Sequence, residues 1–407
     1  MPLAALPTPC AVVDIDRLEH NLARMATHLH RLGVALRPHV KTHKCVPIAR
    51  RQRALGAQGL TVSTLKEAEQ FFDAGFEDIL YAVCISPDKL PRARALQQRG
   101  CRLTVLVDSV EAAVAVAAGG APLPTLVEID VDGHRSGVAP DAPELLAIGR
   151  ALHDRGAGLR GVLTHAGSSY ELHTPEALQA LAEQERARCV QAADRLRAAG
   201  LPCPVVSVGS TPTALSARRL DGVTEVRAGV YALFDLVMAG VGVCTPDDVA
   251  LSVLATVIGH RRDKGWAVVD AGWMALSRDR GTASQAHDRG YGLVCDVDGR
   301  RLPGLQVIGA NQEHGLIAAV AEAEGGDLPG AADAEPARPA VGAGSAPSGA
   351  ASGSTDRVAA DIVHRLPLGT RVRILPNHAC ATAAQHAAYH LVQGTRVQDT
   401  WPRFGGW

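Results

Sequence analysis

The chain has 407 residues, enough for two or three domains of ordinary size. Apolar residues make up 47% and charged residues 20%, the balance of a globular chain with a sizeable core. Its 41 Lys and Arg against 42 Asp and Glu, with only 3% aromatics, argue against nucleic acid or an anionic membrane as a partner. No apolar run approaches the roughly 18 residues of a membrane span. The start, Met1 to Cys10, has neither the basic segment nor the apolar stretch of a signal peptide. These features predict a cytoplasmic chain. The nine cysteines are scattered without a CxxC pair and read as reduced thiols.

Short β-branched runs predict strands at residues 11–15, 34–40, 60–63, 79–83, 103–107, 126–131, 159–165 and 205–208. Most are followed by apolar residues at helical spacing, as in Leu18, Leu22, Met25 and Leu29. Eight strands with interleaved helices over about 220 residues predict an α/β fold built on a (β/α)8 barrel. A doubly wound open sheet is the competing arrangement. The first strand ends in Asp14-Ile15-Asp16 without a glycine, so the dinucleotide fingerprint is absent. The predicted barrel occupies residues 1–244. From 245 to 407 the pattern changes to Val-rich runs joined by turns, at 250–258, 266–269, 292–297, 306–308, 315–320 and 371–375. These predict a C-terminal β domain. Within it, 24 of the 32 residues at 325–356 are Gly, Ala, Pro or Ser, which predicts a disordered insertion.

Three motifs could carry chemistry. The second predicted strand ends in Arg37-Pro38-His39-Val40-Lys41, and barrel strands present their carboxyl ends to the active site. A lysine desolvated there loses basicity and becomes a Schiff-base nucleophile; the alternative is a solvated basic patch. At Gly209-Ser210-Thr211 a strand runs into a helix start, where N–H groups and hydroxyls bind phosphate. A plain capped turn is the alternative there. Arg227-Ala228-Gly229-Val230-Tyr231 follows and could close the same pocket. In Asn377-His378-Ala379-Cys380 the imidazole and thiol stand two residues apart, where they could bind a borderline-soft divalent metal or simply be buried. Polar clusters at 133–137, 164–170, 270–272, 277–280 and 312–315 gather at predicted strand ends and in the β domain.

Taken together these phrases resemble the fold-type III pyridoxal-phosphate enzymes, the alanine-racemase-like barrel plus β domain. Within that group the chain is similar to the D-serine dehydratase and D-threonine aldolase branch. The resemblance rests on residues 37–41, 61–71, 161–170, 208–214, 269–275 and 374–382 and runs from Thr8 to the C-terminus, apart from 325–356. It implies that Lys41 holds pyridoxal 5'-phosphate. It implies that Gly209, Ser210, Thr211, Gly229 and Val230 bind the phosphate, with Tyr231 beside them. Arg135 is implied near the phenolic oxygen, Tyr170 near the ring, and His378 and Cys380 on a divalent metal (zinc, manganese, magnesium or cobalt). The H-x-C pair resembles the dehydratases more than the aldolases, which more often carry H-x-D. The implied activity is release of ammonia and a 2-oxo acid from a β-hydroxy D-amino acid, with hydroxyaspartate and D-serine the leading substrates. The alternative is an aldolase that releases glycine and an aldehyde. The implied assembly is a homodimer whose only other partner is the small-molecule substrate.

Overall fold

The computed structural model describes residues 1–119, 121–156, 158–320 and 361–407. The predicted insertion at 325–356 lies outside these residues. Among the described residues, no helix is long and apolar enough to cross a membrane.

The first strand, β1 (Cys10–Asp14), is followed by eight short strands that form one parallel sheet. These are β2 (Ala35–Leu36), β3 (Leu60–Val62), β4 (Asp78–Cys84), β5 (Arg102–Val107), β6 (Thr125–Ile129), β7 (Leu159–Thr164), β8 (Val205–Val208) and β9 (Glu225–Val226). Their order is β2-β9-β8-β7-β6-β5-β4-β3. A parallel bridge between His39 and Thr61 joins the two ends of the sheet, so the barrel closes. Most residues of the barrel strands are buried on either face, which is why runs such as Leu103-Thr104-Val105-Leu106-Val107 carry almost no polar alternation. Inside the barrel, Leu80, Leu106, Leu126 and Leu163 form one buried layer, so this is a packed core and not a pore.

The outer helices start at side-chain caps. Thr64, Ser109 and Thr174 each accept the N–H three residues on. The longest helix, Pro175–Ala198, turns Leu178, Leu181, Glu185, Cys189, Ala192 and Leu196 towards the barrel. That spacing is the usual apolar stripe, with one carboxylate inside it.

The second sheet contains β10 (Leu251–Arg261), β11 (Trp266–Val269), β12 (Leu293–Cys295), β13 (Arg301–Ala310), β14 (Gly315–Ala319), β15 (Arg371–Leu375), β16 (Ala388–Gln393) and β17 (Arg396–Pro402). The order is β11-β14-β13-β12-β15-β10-β1-β16-β17, and β11 also pairs with β10. Six strands thus close on themselves, and β1, β16 and β17 extend from β10.

The position of β1 corrects one expectation. The run at 11–15 does not open the parallel barrel. β1 lies antiparallel to β10 and parallel to β16 in the second sheet, and the two-residue β9 supplies the eighth barrel strand. Cys10, Ala11, Val12 and Val13 are all buried, so β1 has the same two-faced apolar pattern as a barrel strand. Ala11 and Val13 pack into the barrel-side core, whereas Cys10 and Val12 face a smaller cluster with Leu3, Leu6 and Leu254.

Candidate active site

The carboxyl ends of the barrel strands open into a cavity of about 870 Å³. Lys41, Arg135, Tyr170, Gly209, Ser210, Thr211, Gly229, Val230, His378 and Cys380 all line it. One expected member does not. Tyr231 is 1% exposed, and its hydroxyl accepts a hydrogen bond from Gln52 Nε2 at 2.8 Å, away from the cavity. Only its backbone N–H reaches back, to Thr211 Oγ1 at 3.3 Å.

Lys41 is placed by the extension of β2. His39 N–H donates to Ala228 O at 2.8 Å, and Val40 N–H to Thr61 O at 2.9 Å, so residues 39 and 40 stay wedged between β9 and β3. The chain then releases Lys41 into the cavity. Burial lowers the pKa of its ammonium below the usual lysine value; Cys380 opposes this shift, while Arg135 and Arg227 add to it.

The turn after β8 is built for close approach. Gly209 has φ +128°, and a Cβ there would lie 2.4 Å from Arg227 O. Ser210 caps the helix Thr211–Ser216 in a reciprocal box with Thr213. Opposite, a Cβ on Gly229 would lie 2.7 Å from His39 O. Among the described residues, the N–H groups of Thr211, Gly229 and Val230 have no acceptor within the protein. His165, at the end of β7, points Nδ1 at Gly209 O at 3.1 Å. Burial pushes His165 down to about 3 and His39 well below its usual value, so both rings are neutral at physiological pH. His39 Nδ1 has no hydrogen-bond partner among the described residues. Arg227 is buried, with Nε donating to Ser207 Oγ at 2.8 Å and its terminal nitrogen to Thr164 O.

On the other side, the segment after β15 enters the cavity. Pro376 O and Asn377 O accept the N–H groups of Leu236 and Val237 at 3.0 and 3.1 Å, and Asp235 Oδ2 accepts from Ala379 N–H at 2.8 Å. His378 and Cys380 are thereby fastened to the barrel rim. His378 Nδ1 lies 2.6 Å from Asp279 Oδ2, and Cys380 Sγ donates to Thr42 Oγ1 at 3.2 Å. Burial opposes a charged imidazole, but Asp279 and then Cys380 outweigh it and lift His378 to about 11. Burial likewise opposes a thiolate, but His378, Thr42 and Lys41 bring Cys380 below its usual value. Each group thus favours the charged form of the other.

Arg135 is held loosely, 3.9 Å from Glu128 Oε1, with 55% of its side chain exposed. Tyr170 stands on the turn Gly167–Glu171 with its ring centroid 6.5 Å from that of His165. Cys84 donates to Glu128 Oε2 at 3.0 Å, and with Asp108 these two bring their donor atoms within 4.8 Å of one another.

The motifs do not assign individual roles to Asp279, Asp235, His39, Arg227 or Glu128. Asp279 stands out only as part of a polar cluster. It is 99 residues from His378, so no spacing rule joins the two.

Comparison with known proteins agrees with this geometry. Residues 13–236 match the family described as "Alanine racemase, N-terminal domain", and residues 250–343 and 348–392 the "Putative serine dehydratase domain". The chain is 61% identical over 410 residues to D-threo-3-hydroxyaspartate dehydratase of Delftia sp. strain HT23, covering 100% of this chain and 99% of that one. Solved structures of an enzyme of that name include a cysteine-to-alanine mutant in the metal-free form and a histidine-to-alanine mutant. Each superposes with a TM-score of 0.89 at 60% identity, covering 100% of this chain and 100% and 97% of theirs. The D-threonine aldolase of Arthrobacter sp. is 32% identical over 337 residues, covering 80% of this chain and 84% of that one. The chain therefore belongs to the fold-type III family of pyridoxal-phosphate enzymes, in the branch that holds the D-serine dehydratases and D-threonine aldolases.

Proposed function

We propose that this lyase removes water and then ammonia from a β-hydroxy D-amino acid, D-threo-3-hydroxyaspartate first and D-serine second, leaving a 2-oxo acid. The observation that carries this reading is the meeting of Lys41 with the His378–Cys380 pair in one cavity. The residues fit pyridoxal phosphate. A basicity-lowered lysine faces a glycine-lined cradle whose three N–H groups lack acceptors. They also fit a divalent ion, because imidazole and thiolate form a borderline-soft donor pair. In the 60%-identical solved enzyme, the mutated histidine and cysteine stand two residues apart, as His378 and Cys380 do. In this reading the cofactor is held from residues 1–244 and the metal from 245–407, and the enzyme is a cytoplasmic homodimer.

Bound pyridoxal phosphate supplies an electron sink for the carbanion at Cα, and a divalent metal supplies Lewis acidity at the β-hydroxyl. The chain's own groups do the rest. The N–H groups of Thr211, Gly229 and Val230 and the hydroxyls of Ser210 and Thr211 would hold the phosphate, with Gly209 giving it room for close approach. Lys41, with its pKa lowered by burial, takes the Cα proton on Nζ. Asp279 keeps Nδ1 of His378 occupied, which leaves Nε2 to ligate. Two protein ligands leave positions open for the substrate hydroxyl. Arg135 and Tyr170 would flank the ring; Arg135 is 55% exposed and lies 3.9 Å from the Glu128 carboxylate.

The aldolase reading uses the same cavity and draws on the 32% identity to the Arthrobacter enzyme. One incubation separates the two. The purified protein is given D-serine, D-threonine and the 3-hydroxyaspartate isomers, and ammonia, 2-oxo acid and glycine are assayed together. Dehydration gives ammonia and 2-oxo acid in equal amounts. Glycine as the main product would establish the aldolase.

A further inference from the structure

We propose that Glu185, on the back of the barrel, is a positioning residue that sets the cofactor's phosphate cradle. This rests on the reading that residues 209–211 and 229–230 hold phosphate.

Glu185 occupies an apolar-stripe position of the helix Pro175–Ala198 and is only 2% exposed. A leucine or methionine would fill such a place, and a carboxylate there is costly unless it is bonded. Its Oε1 accepts two backbone N–H groups, from Ala166 at 3.0 Å and from Gly209 at 3.1 Å. Burial raises its pKa above the usual carboxylate value, and the nearby Thr213 hydroxyl, the two N–H groups and the Arg227 charge offset part of that shift. Ala166 is the second residue after β7, and Gly209 the first after β8. One oxygen thus clamps the loops at the ends of two neighbouring strands.

The Gly209 peptides are gripped on two sides. The N–H goes back to Glu185, and the C=O goes forward to His165 Nδ1. With φ fixed at +128°, the direction of the following Ser210–Thr211 turn depends on those two bonds. The loops are also stitched by Ser169 Oγ to Ser210 Oγ at 3.0 Å. Glu185 does not line the cavity, so it acts through the cradle rather than on the ligand.

The test compares pyridoxal 5'-phosphate with pyridoxal, which lacks the phosphate. Affinities of the full-length chain for both are measured from the visible absorption that develops at Lys41, and the bound phosphate is followed by phosphorus NMR. Wild type should prefer the phosphorylated form. Glu185→Gln keeps an acceptor oxygen in place and should retain that preference within about threefold. Glu185→Met should bind pyridoxal phosphate about tenfold more weakly or worse, the scale of leaving buried N–H groups unpaired, with a shifted phosphorus signal and pyridoxal affinity within about threefold. Glu185→Asp keeps the charge but falls one methylene short, and should lose the preference too, which decides the matter if the Met variant does not fold. An undiminished preference in the Asp variant, loss of it in the Gln variant, or an equal loss of both ligands would overturn the role of Glu185. Wild type binding both ligands equally would overturn the phosphate reading itself, and this proposal with it.

Discussion

His43 lies two residues beyond Lys41 and is completely buried. Its Nδ1 accepts the Cys45 N–H at 3.1 Å, its Nε2 has no hydrogen-bond partner among the described residues, and its carbonyl accepts the Tyr389 hydroxyl at 2.8 Å. Burial lowers its pKa from 6.5 to about 3. An unfolded chain takes up a proton near pH 6.5 that the folded His43 refuses until about pH 3. Stability is therefore unaffected by this group above the unfolded value and falls as pH drops through the window between the two. Linkage with these values gives a loss of roughly 2 to 3 kcal/mol between about pH 6 and about pH 4. A His43→Asn chain keeps an oxygen for the Cys45 N–H but does not titrate. Urea unfolding of both chains at the two pH values isolates the effect. The penalty of the substitution should shrink, or reverse, by roughly 2 to 3 kcal/mol on acidification. Parallel pH curves for the two chains would refute the reasoning.

Lys41→Ala should lose the visible absorption of lysine-bound pyridoxal phosphate; borohydride reduction of wild type followed by peptide mapping should find the label on Lys41, and a label on Lys44 would refute the assignment. Exhaustive chelation should abolish ammonia release while the visible band stays and the melting temperature moves by less than about 2 °C, since two protein ligands make an open site and not a structural one. His378→Ala and Cys380→Ala should match the chelated enzyme in rate, and Cys380→Asp should turn metal preference from zinc towards manganese or magnesium, read by activity after reloading with each ion. Asp279→Asn should weaken zinc binding about 10- to 100-fold by equilibrium dialysis without unfolding the chain, because the imidazole loses the group that orients it.

The barrel was legible because its strands are short, apolar and regularly spaced. Trp266–Val269 and Arg371–Leu375 were legible to the residue for the same reason. Sheet membership was not. The apolar runs of β1 and β7 look alike, and only the pairing of Val12 with Ser252 and His390 tells them apart. β9 is two residues long, too short to carry a period. Most candidate site residues were legible because their motifs are local: glycine where a Cβ would collide, and a lysine at a strand end. The groups that tune them were hidden, because Asp279, Glu185 and Asp235 each act on partners brought close only by folding. Tyr231 shows the opposite limit. Its place in the motif is right, but its side chain turns towards Gln52.

The central place of β1 governs how this protein can be made and divided. During synthesis the residues of β1 leave the ribosome long before their partners β10 and β16, which lie some 240 and 380 positions later. The parallel barrel can assemble while the chain is still growing, but the second sheet stays open until β16 and β17 have emerged. A cut at 244/245 cannot yield two independent pieces, since the C-terminal fragment would lack an interior strand and expose two unpaired edges. Mixing that fragment with the complementary one, however, should restore the sheet, with the first dozen residues acting as a donated strand.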